Sequence, residues 1–131
     1  MAVDRPNTEL TTAPGDEASL ARQALQDGCS TVVAVGGDGT WSKVAAALAG
    51  SECRLALVAA GTGNDFVKTL GIPATDPAAM ARLALEGPDE RIDMGRVGGR
   101  AFLNIAGFGF DAAVASAMLE IGWLRGDALY L

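Results

Sequence analysis

With 131 residues and 50% hydrophobic content, the chain is long enough for one domain of ordinary size, or one domain with part of another, around an apolar core. Its net charge of −6 leaves no basic stripe to neutralise a phosphate backbone, which excludes general nucleic-acid binding. The absence of histidine removes the commonest general base and metal ligand, so any catalysis must run on carboxylates, backbone amides and hydroxyls.

Residues 1–12 are polar and carry Asp4, Arg5 and Glu9, so they lack the apolar centre of a signal peptide. No later stretch is apolar for long enough to cross a bilayer. Gly15 and Asp16 open a helical pattern in which Ala18, Leu20, Ala21, Ala24 and Leu25 share a face, and Gly28 closes it. Cys29 and Cys53 are the only cysteines and fall outside any CxxC spacing. That argues against a disulfide framework or a zinc site, and for reduced thiols in a cytoplasmic protein. Residues 31–35 form a short buried strand, and residues 55–60 a second uninterrupted apolar run. Such runs alternating with helices describe a parallel sheet covered on both faces.

Between the strands lie Gly36, Gly37, Asp38, Gly39 and Thr40, then a helix over residues 41–48 with Gly50 as its stop. Glycines let backbone amides approach an anion, and the helix adds unpaired N–H groups and a positive dipole end. A tight reversal between strand and helix would also use glycines, but Asp38 among them is odd. It repels a bare phosphate, yet fits where Mg²⁺ stands between carboxylate and phosphate. Neither the Gly-Lys-Ser/Thr of P-loop hydrolases nor GxGxxG is present here. The second strand empties into Gly61, Thr62, Gly63, Asn64, Asp65 and Phe66, leading to a short helix that ends near Gly71 and Pro73. Turns leaving consecutive parallel strands gather at the carboxyl edge, so the two Gly/Asp turns should face one crevice. The plainer alternatives are that Asp38 caps the helix beginning near Trp41, and that Asn64 and Asp65 form an Asx turn.

Asp76 and Pro77 mark an N-cap and first helical position, with helix over residues 78–85 and Gly87 after it. From Asp89 the texture changes. Residues 91–97 and 100–105 read as antiparallel strands joined by a Gly98-Gly99 hairpin turn. Asp93 inside that strand needs a partner, which Arg91, Arg96 or Arg100 could supply. Residues 107–111 turn into a helix over 112–119, and the stretch from Trp123 to Leu131 looks like the opening of another. Gly107, Gly109 and Ala112 nominally fit the end of a dinucleotide fingerprint, but the preceding hairpin strand is the wrong context. Trp41, Phe66, Phe102, Phe108 and Phe110 are expected in the core or at a domain contact, and Lys43 and Lys68 on helix surfaces.

The order of motifs, Gly36-Gly37-Asp38-Gly39-Thr40, Gly61-Thr62-Gly63-Asn64-Asp65-Phe66, Asp93-Met94-Gly95 and residues 102–109, resembles the diacylglycerol kinase catalytic domain family of bacterial lipid kinases. This family includes sphingosine-kinase-like enzymes and shares a superfold with NAD kinases. The likeness runs from about Thr11 to the C-terminus. It implies an α/β fold: a parallel-sheet nucleotide-binding domain of the lipid kinase type over residues 1–88, and the beginning of an antiparallel β-sandwich domain over 89–131. It further implies ATP and Mg²⁺, with Gly36, Gly37, Asp38, Gly39 and Thr40 on the phosphates. Gly61, Thr62, Gly63 and Asn64 would line the nucleotide pocket, with Thr11 touching nucleotide. Asp38, Asp65 and Asp93 would join a Mg²⁺ and water network, Asp38 in support of catalysis. The acceptor implied is a lipid hydroxyl, of diacylglycerol or a related lipid. A cytoplasmic protein at the inner face of the membrane, with peripheral membrane contact and a homodimer, is compatible with that.

The chain departs from the family pattern in two respects. Family members usually follow GGDGT with a residue and then Asn-Glu, where this chain has Ser42 and Lys43. They also begin with a strand ending in Asn-Pro, and continue past the position of Leu131 into a sandwich domain whose Asp-Gly-Glu motif is thought to supply the general base. The resemblance therefore implies an internal piece of a lipid kinase, keeping the phosphate cradle, with the general base expected beyond Leu131 and little turnover by itself. A NAD kinase-like enzyme, sharing only the first motif, and a non-catalytic nucleotide-binding module are the alternatives.

Overall fold

Two apolar strands separated by a helix can pair in parallel only if the helix crosses over between them. The computed structural model, which describes residues 7–120, contains this unit. The elements are α1 (Asp16–Gln26), β1 (Thr31–Gly36), α2 (Asp38–Leu48), β2 (Arg54–Ala59), α3 (Asp65–Thr69), α4 (Pro77–Glu86), β3 (Gly95–Val97), β4 (Arg100–Phe102) and α5 (Phe110–Glu120). β1 and β2 are parallel, in a register that pairs Thr31 with Arg54 and Gly36 with Ala59. The Ala60 N–H donates to the Gly36 carbonyl at 2.8 Å, so both strands run out at the same level.

The core grows from one face of this pair. Alternate strand positions, Val32 and Ala34 on β1 and Leu55, Leu57 and Ala59 on β2, pack with Trp41, Val44, Ala45 and Leu48 of α2. Those helix positions follow the i, i+3, i+4, i+7 spacing of a buried stripe. α1 adds Ala21 and Leu25, and α3 adds Phe66 and Val67. Trp41 is 0% exposed, and its indole N–H donates to the Ala34 carbonyl at 3.2 Å, fixing α2 on β1. α4 starts as its sequence predicts: Asp76 accepts the amides of Ala78 and Ala79, both at 3.0 Å, with Pro77 first in the helix.

The opposite face differs from the expectation of cover on both sides. Strand periodicity turns Val33 and Val35 away from α2, and they are 47% and 63% exposed; among the described residues that face of β1 is open. The hairpin expected after residue 90 forms, but shorter. Gly98 (φ +53°) and Gly99 (φ +78°) supply the two left-handed positions of its turn, while residues 91–94 and 103–105 lie outside the strands. Asp93 therefore sits exposed ahead of β3 rather than inside a strand, and Arg91 pairs instead with Glu52 at 3.0 Å. Beyond β4, Leu103 is buried and its amide donates to Ser42 Oγ at 3.4 Å, so α2 touches both sheets.

α2 and α5 begin earlier than their sequence patterns suggest, at Asp38 and Phe110. Phe108 and Phe110, expected in a core or contact, are 66% and 81% exposed. They lie past the last β4 residue, where no described element packs over them. The helix expected from Trp123 to Leu131 lies outside the described residues, and so does the general base expected beyond Leu131. Both cysteines are free, and burial pushes the half-covered Cys53 thiol above its ordinary range, with Cys29 nearby adding to the shift. Among the described residues no helix is long and apolar enough to cross a membrane.

Trp41 is the side chain on which the helix-to-sheet contact turns. Replacement by Ala is expected to cost about 3–5 kcal/mol, and by Phe about 1–2 kcal/mol through loss of the bond to Ala34 and some volume. Urea unfolding followed by circular dichroism measures both, and an unchanged midpoint for Trp41→Ala would contradict this packing.

Candidate functional site

Because the strands end level, the chain after Gly36 and the chain after Ala60 emerge side by side at the carboxyl edge of the sheet. Their approach is backbone to backbone. A Cβ built on Gly61 would stand 2.6 Å from the Gly37 Cα and 2.9 Å from Asn64 Oδ1, so no larger residue fits there. Asn64 itself takes a left-handed conformation (φ 51°) that asparagine tolerates, and its Nδ2 donates to the Gly61 carbonyl at 2.7 Å. Its Oδ1 is buried with no hydrogen-bond donor, the one such side-chain atom among the described residues.

Asp38 joins the turns by charge. Its Oδ2 accepts the Asp65 amide at 3.1 Å and its Oδ1 accepts the Phe66 amide at 3.0 Å. The carboxylate thus caps α3, a helix 27 residues away in the chain, and leaves its own helix without a side-chain cap. The cap expected for the helix near Trp41 is therefore spent elsewhere. The first amides of α2 have no acceptor within the helix and no capping side chain, which is the arrangement that receives an anion. Asp65 belongs to the same space. Asp38 Oδ2 and Asp65 Oδ2 each lie 3.5 Å from the point where a Gly63 Cβ would stand. Lys68 pairs with the other Asp65 oxygen at 3.1 Å.

The sequence-predicted residues Gly36, Gly37, Asp38, Gly39, Thr40, Gly61, Thr62, Gly63, Asn64 and Asp65 thus fall on two adjoining turns at one edge. Asp93 is not gathered with Asp38 and Asp65: among the described residues no three Asp, Glu, Cys or His side chains are placed to hold a metal ion together.

Thr11 lies on the segment leading into α1, and that segment is held by Asp16, which the sequence marked only as the opening of a helix, and by Glu17, which it did not single out. Asp16 Oδ2 accepts the Thr12 amide at 2.7 Å, the Ala13 amide at 2.8 Å and the Thr12 hydroxyl at 3.1 Å. The Thr12 and Ala13 amides, then the hydroxyl, keep its carboxyl below the usual range. Glu17 accepts the Gly15 amide at 3.0 Å and pairs with Lys43 of α2 at 2.9 Å. The Lys43 ammonium is the main cause that holds Glu17 below its ordinary pKa. Lys43 and Ser42, the departures after Gly36-Gly37-Asp38-Gly39-Thr40, thus have defined partners: one ties α2 to α1, the other to the second sheet. A Thr three residues before a Gly-Asp-Glu helix start was the available signal.

The sequence matches the family described as Diacylglycerol kinase catalytic domain over residues 4–97. Among curated relatives, a protein of Pseudomonas fluorescens named "Probable lipid kinase YegS-like" is 40% identical over 125 residues, covering 93% of this chain and 41% of the relative. The "Diacylglycerol kinase" of Bacillus subtilis is 39% identical over 105 residues, covering 79% and 35%. That of Mycobacterium tuberculosis is 33% identical over 120 residues, covering 88% and 39%. The chain spans about two fifths of the length of these relatives.

Gly61→Ala should force the two turns apart and cost about 1–3 kcal/mol. Asp38→Ala should cost about 1–2 kcal/mol by leaving two amides of α3 uncapped, with Asp38→Asn milder; thermal unfolding of the three variants checks this order. Asp16 and Glu17 have lower pKa values folded than unfolded. Their contribution to stability is therefore complete at neutral pH and is lost as pH falls below the ordinary carboxylate range of about 4. The acid limb of the stability profile should be shallower in Asp16→Asn than in the wild type.

Proposed function

Since this chain belongs to the diacylglycerol kinase catalytic domain family, we propose that it forms the nucleotide-binding part of a lipid kinase that passes the γ-phosphoryl of ATP to a lipid hydroxyl. The observation that carries this reading is the Asp38 carboxylate spanning from the Gly36–Thr40 turn to the amides of Asp65 and Phe66. It makes one cradle of two glycine turns beside the uncapped start of α2.

In this reading the amides of Gly39 and Thr40 and the α2 dipole receive phosphate oxygens, and the Gly37–Gly61 approach keeps the floor of the cradle free of side chains. Asn64 belongs to the nucleotide wall and keeps it in shape, its Nδ2 holding the Gly61 carbonyl at 2.7 Å. Thr62 and Gly63 line the same wall, and Thr11 contacts nucleotide from the segment before α1. Asp38 and Asp65 offer the hard oxygen donors that Mg²⁺ prefers, and one or two carboxylates completed by phosphate oxygens and water suffice for that ion. Mg²⁺ when bound neutralises charge on the phosphates. Asp93, exposed ahead of β3, stands outside the pair of carboxylates offered to the ion. Residues from β3 onward begin the second, β-rich domain that would carry the acceptor side, with the general base supplied from beyond Leu131. The acceptor is diacylglycerol or a related lipid, met at a membrane surface.

Titration of the ¹⁵N-labelled chain with Mg²⁺-ATP tests the reading. Amides of Gly36, Gly37, Gly39, Gly61 and Gly63 should shift with an apparent Kd of about 1 mM or tighter. NAD should produce no such pattern. Asp38→Asn should weaken Mg²⁺-ATP more than metal-free ATP. Shifts confined to other residues, or none at about 10 mM nucleotide, would remove the assignment.

A further inference from the structure

Asp16 stands at the first position of α1, where an acidic side chain ordinarily favours its own helix's amides and dipole. It does something else here. The N-cap is Gly15 in a left-handed conformation (φ +100°), without a side-chain cap bond. All the Asp16 bonds run backwards, from the Thr12 amide, the Thr12 hydroxyl and the Ala13 amide, onto the single oxygen Oδ2. The chain they hold has little else to order it: residues 9–14 are exposed, and Leu10 is 81% exposed.

That chain lies at the edge where the glycine turns open. α1 leads into β1 and α2 leads out of it, so both helices start at the carboxyl edge of the sheet. The Glu17 to Lys43 pair, between the first turn of α1 and the second turn of α2, fixes them at one level. Glu17 also holds the Gly15 amide, so the turn before α1 is tied through one side chain to the helix that opens at the cradle.

We propose that Asp16 is a positioning residue for nucleotide binding: its carboxylate oxygen fixes the turn immediately after Thr11 and so presents Thr11 to the cradle. This rests on the nucleotide reading above. Asp16 touches no phosphate itself. With its oxygen removed, Thr11 samples many positions, and the apparent affinity falls by the fraction of time it is in place.

The test measures Mg²⁺-ATP affinity by calorimetry on the 131-residue chain and on Asp16→Ala, Asp16→Asn, Thr11→Ala and Asp16→Ala/Thr11→Ala. Asp16→Ala should bind about tenfold more weakly. Asp16→Asn, whose amide oxygen can accept the same donors, should recover most of the loss. The double variant should bind no more weakly than the worse single one, because both remove the same contact. If Asp16→Ala does not fold, Asp16→Glu, which keeps the charge but moves the oxygen by one methylene, takes its place and should also bind weakly. Equal affinity of wild type and Asp16→Ala would overturn the inference while leaving the nucleotide reading intact. Additive losses in the double variant would overturn it too, since Asp16 would then act without Thr11. A wild-type chain that binds no Mg²⁺-ATP would remove the nucleotide reading and this inference together.

Discussion

One carboxylate holds the functional end of this molecule together. Asp38 follows directly on the glycine turn after β1, and its two oxygens take the first amides of α3, which follows the turn after β2. A charge-assisted bond of this kind is stronger than a neutral one and directional at both ends. The two turns cannot separate without stranding α3's amides, and cannot close further because Gly37 and Gly61 already meet backbone to backbone. Attraction and steric limit together define the width of the cradle.

The same economy extends outward. Asp16, Glu17, Asp38 and Asp76 each accept at least one backbone amide, and for Asp38 and Asp16 the amides belong to a segment other than the helix they begin. This resolves an apparent conflict in an acidic chain of net charge −6 offered as a phosphate binder. A carboxylate that accepts two amides is partly neutralised, so it repels a neighbouring anion less than an exposed one and still carries oxygen toward a cation. In the proposed reading the site takes anions through backbone N–H groups rather than through lysines; Lys43 and Lys68, the two in the chain, are engaged with Glu17 and Asp65.

α2 is the element through which these parts communicate. Its buried stripe packs on both strands, Trp41 locks it to the Ala34 carbonyl, Lys43 ties it to α1, and Ser42 meets Leu103 at the second sheet. Its free amino end opens on the cradle. A displacement of α2 would therefore move its uncapped first amides, the turn before α1 and the hairpin together, which couples the apolar core to the edge where the two glycine turns meet.

By itself the sequence determined the local matters. Continuous apolar runs and helical stripes placed β1, β2 and α4 to within a residue and α2 all but its first turn, and glycines in a turn marked where a backbone must come close. The convergence of residues 36–40 with 61–65 was also legible, since parallel strands joined by a crossover release their turns at one edge. Only the tertiary structure decided how side chains choose among partners. Asp38 had two readings on paper, and space around its oxygens, not the spacing of residues, gave its bonds to α3. Asp93 was drawn into a strand by its apolar neighbours, yet β3 starts later, because pairing with β4 lasts only three residues on either side of the Gly98-Gly99 turn. Val33 and Val35 carried the pattern of a doubly covered sheet, but a pattern records the apolar face and not what lies over it. Propensity and periodicity act over one turn or one strand and are written along the chain. Caps, ion pairs and burial act between segments tens of residues apart, and exist only once the chain has folded.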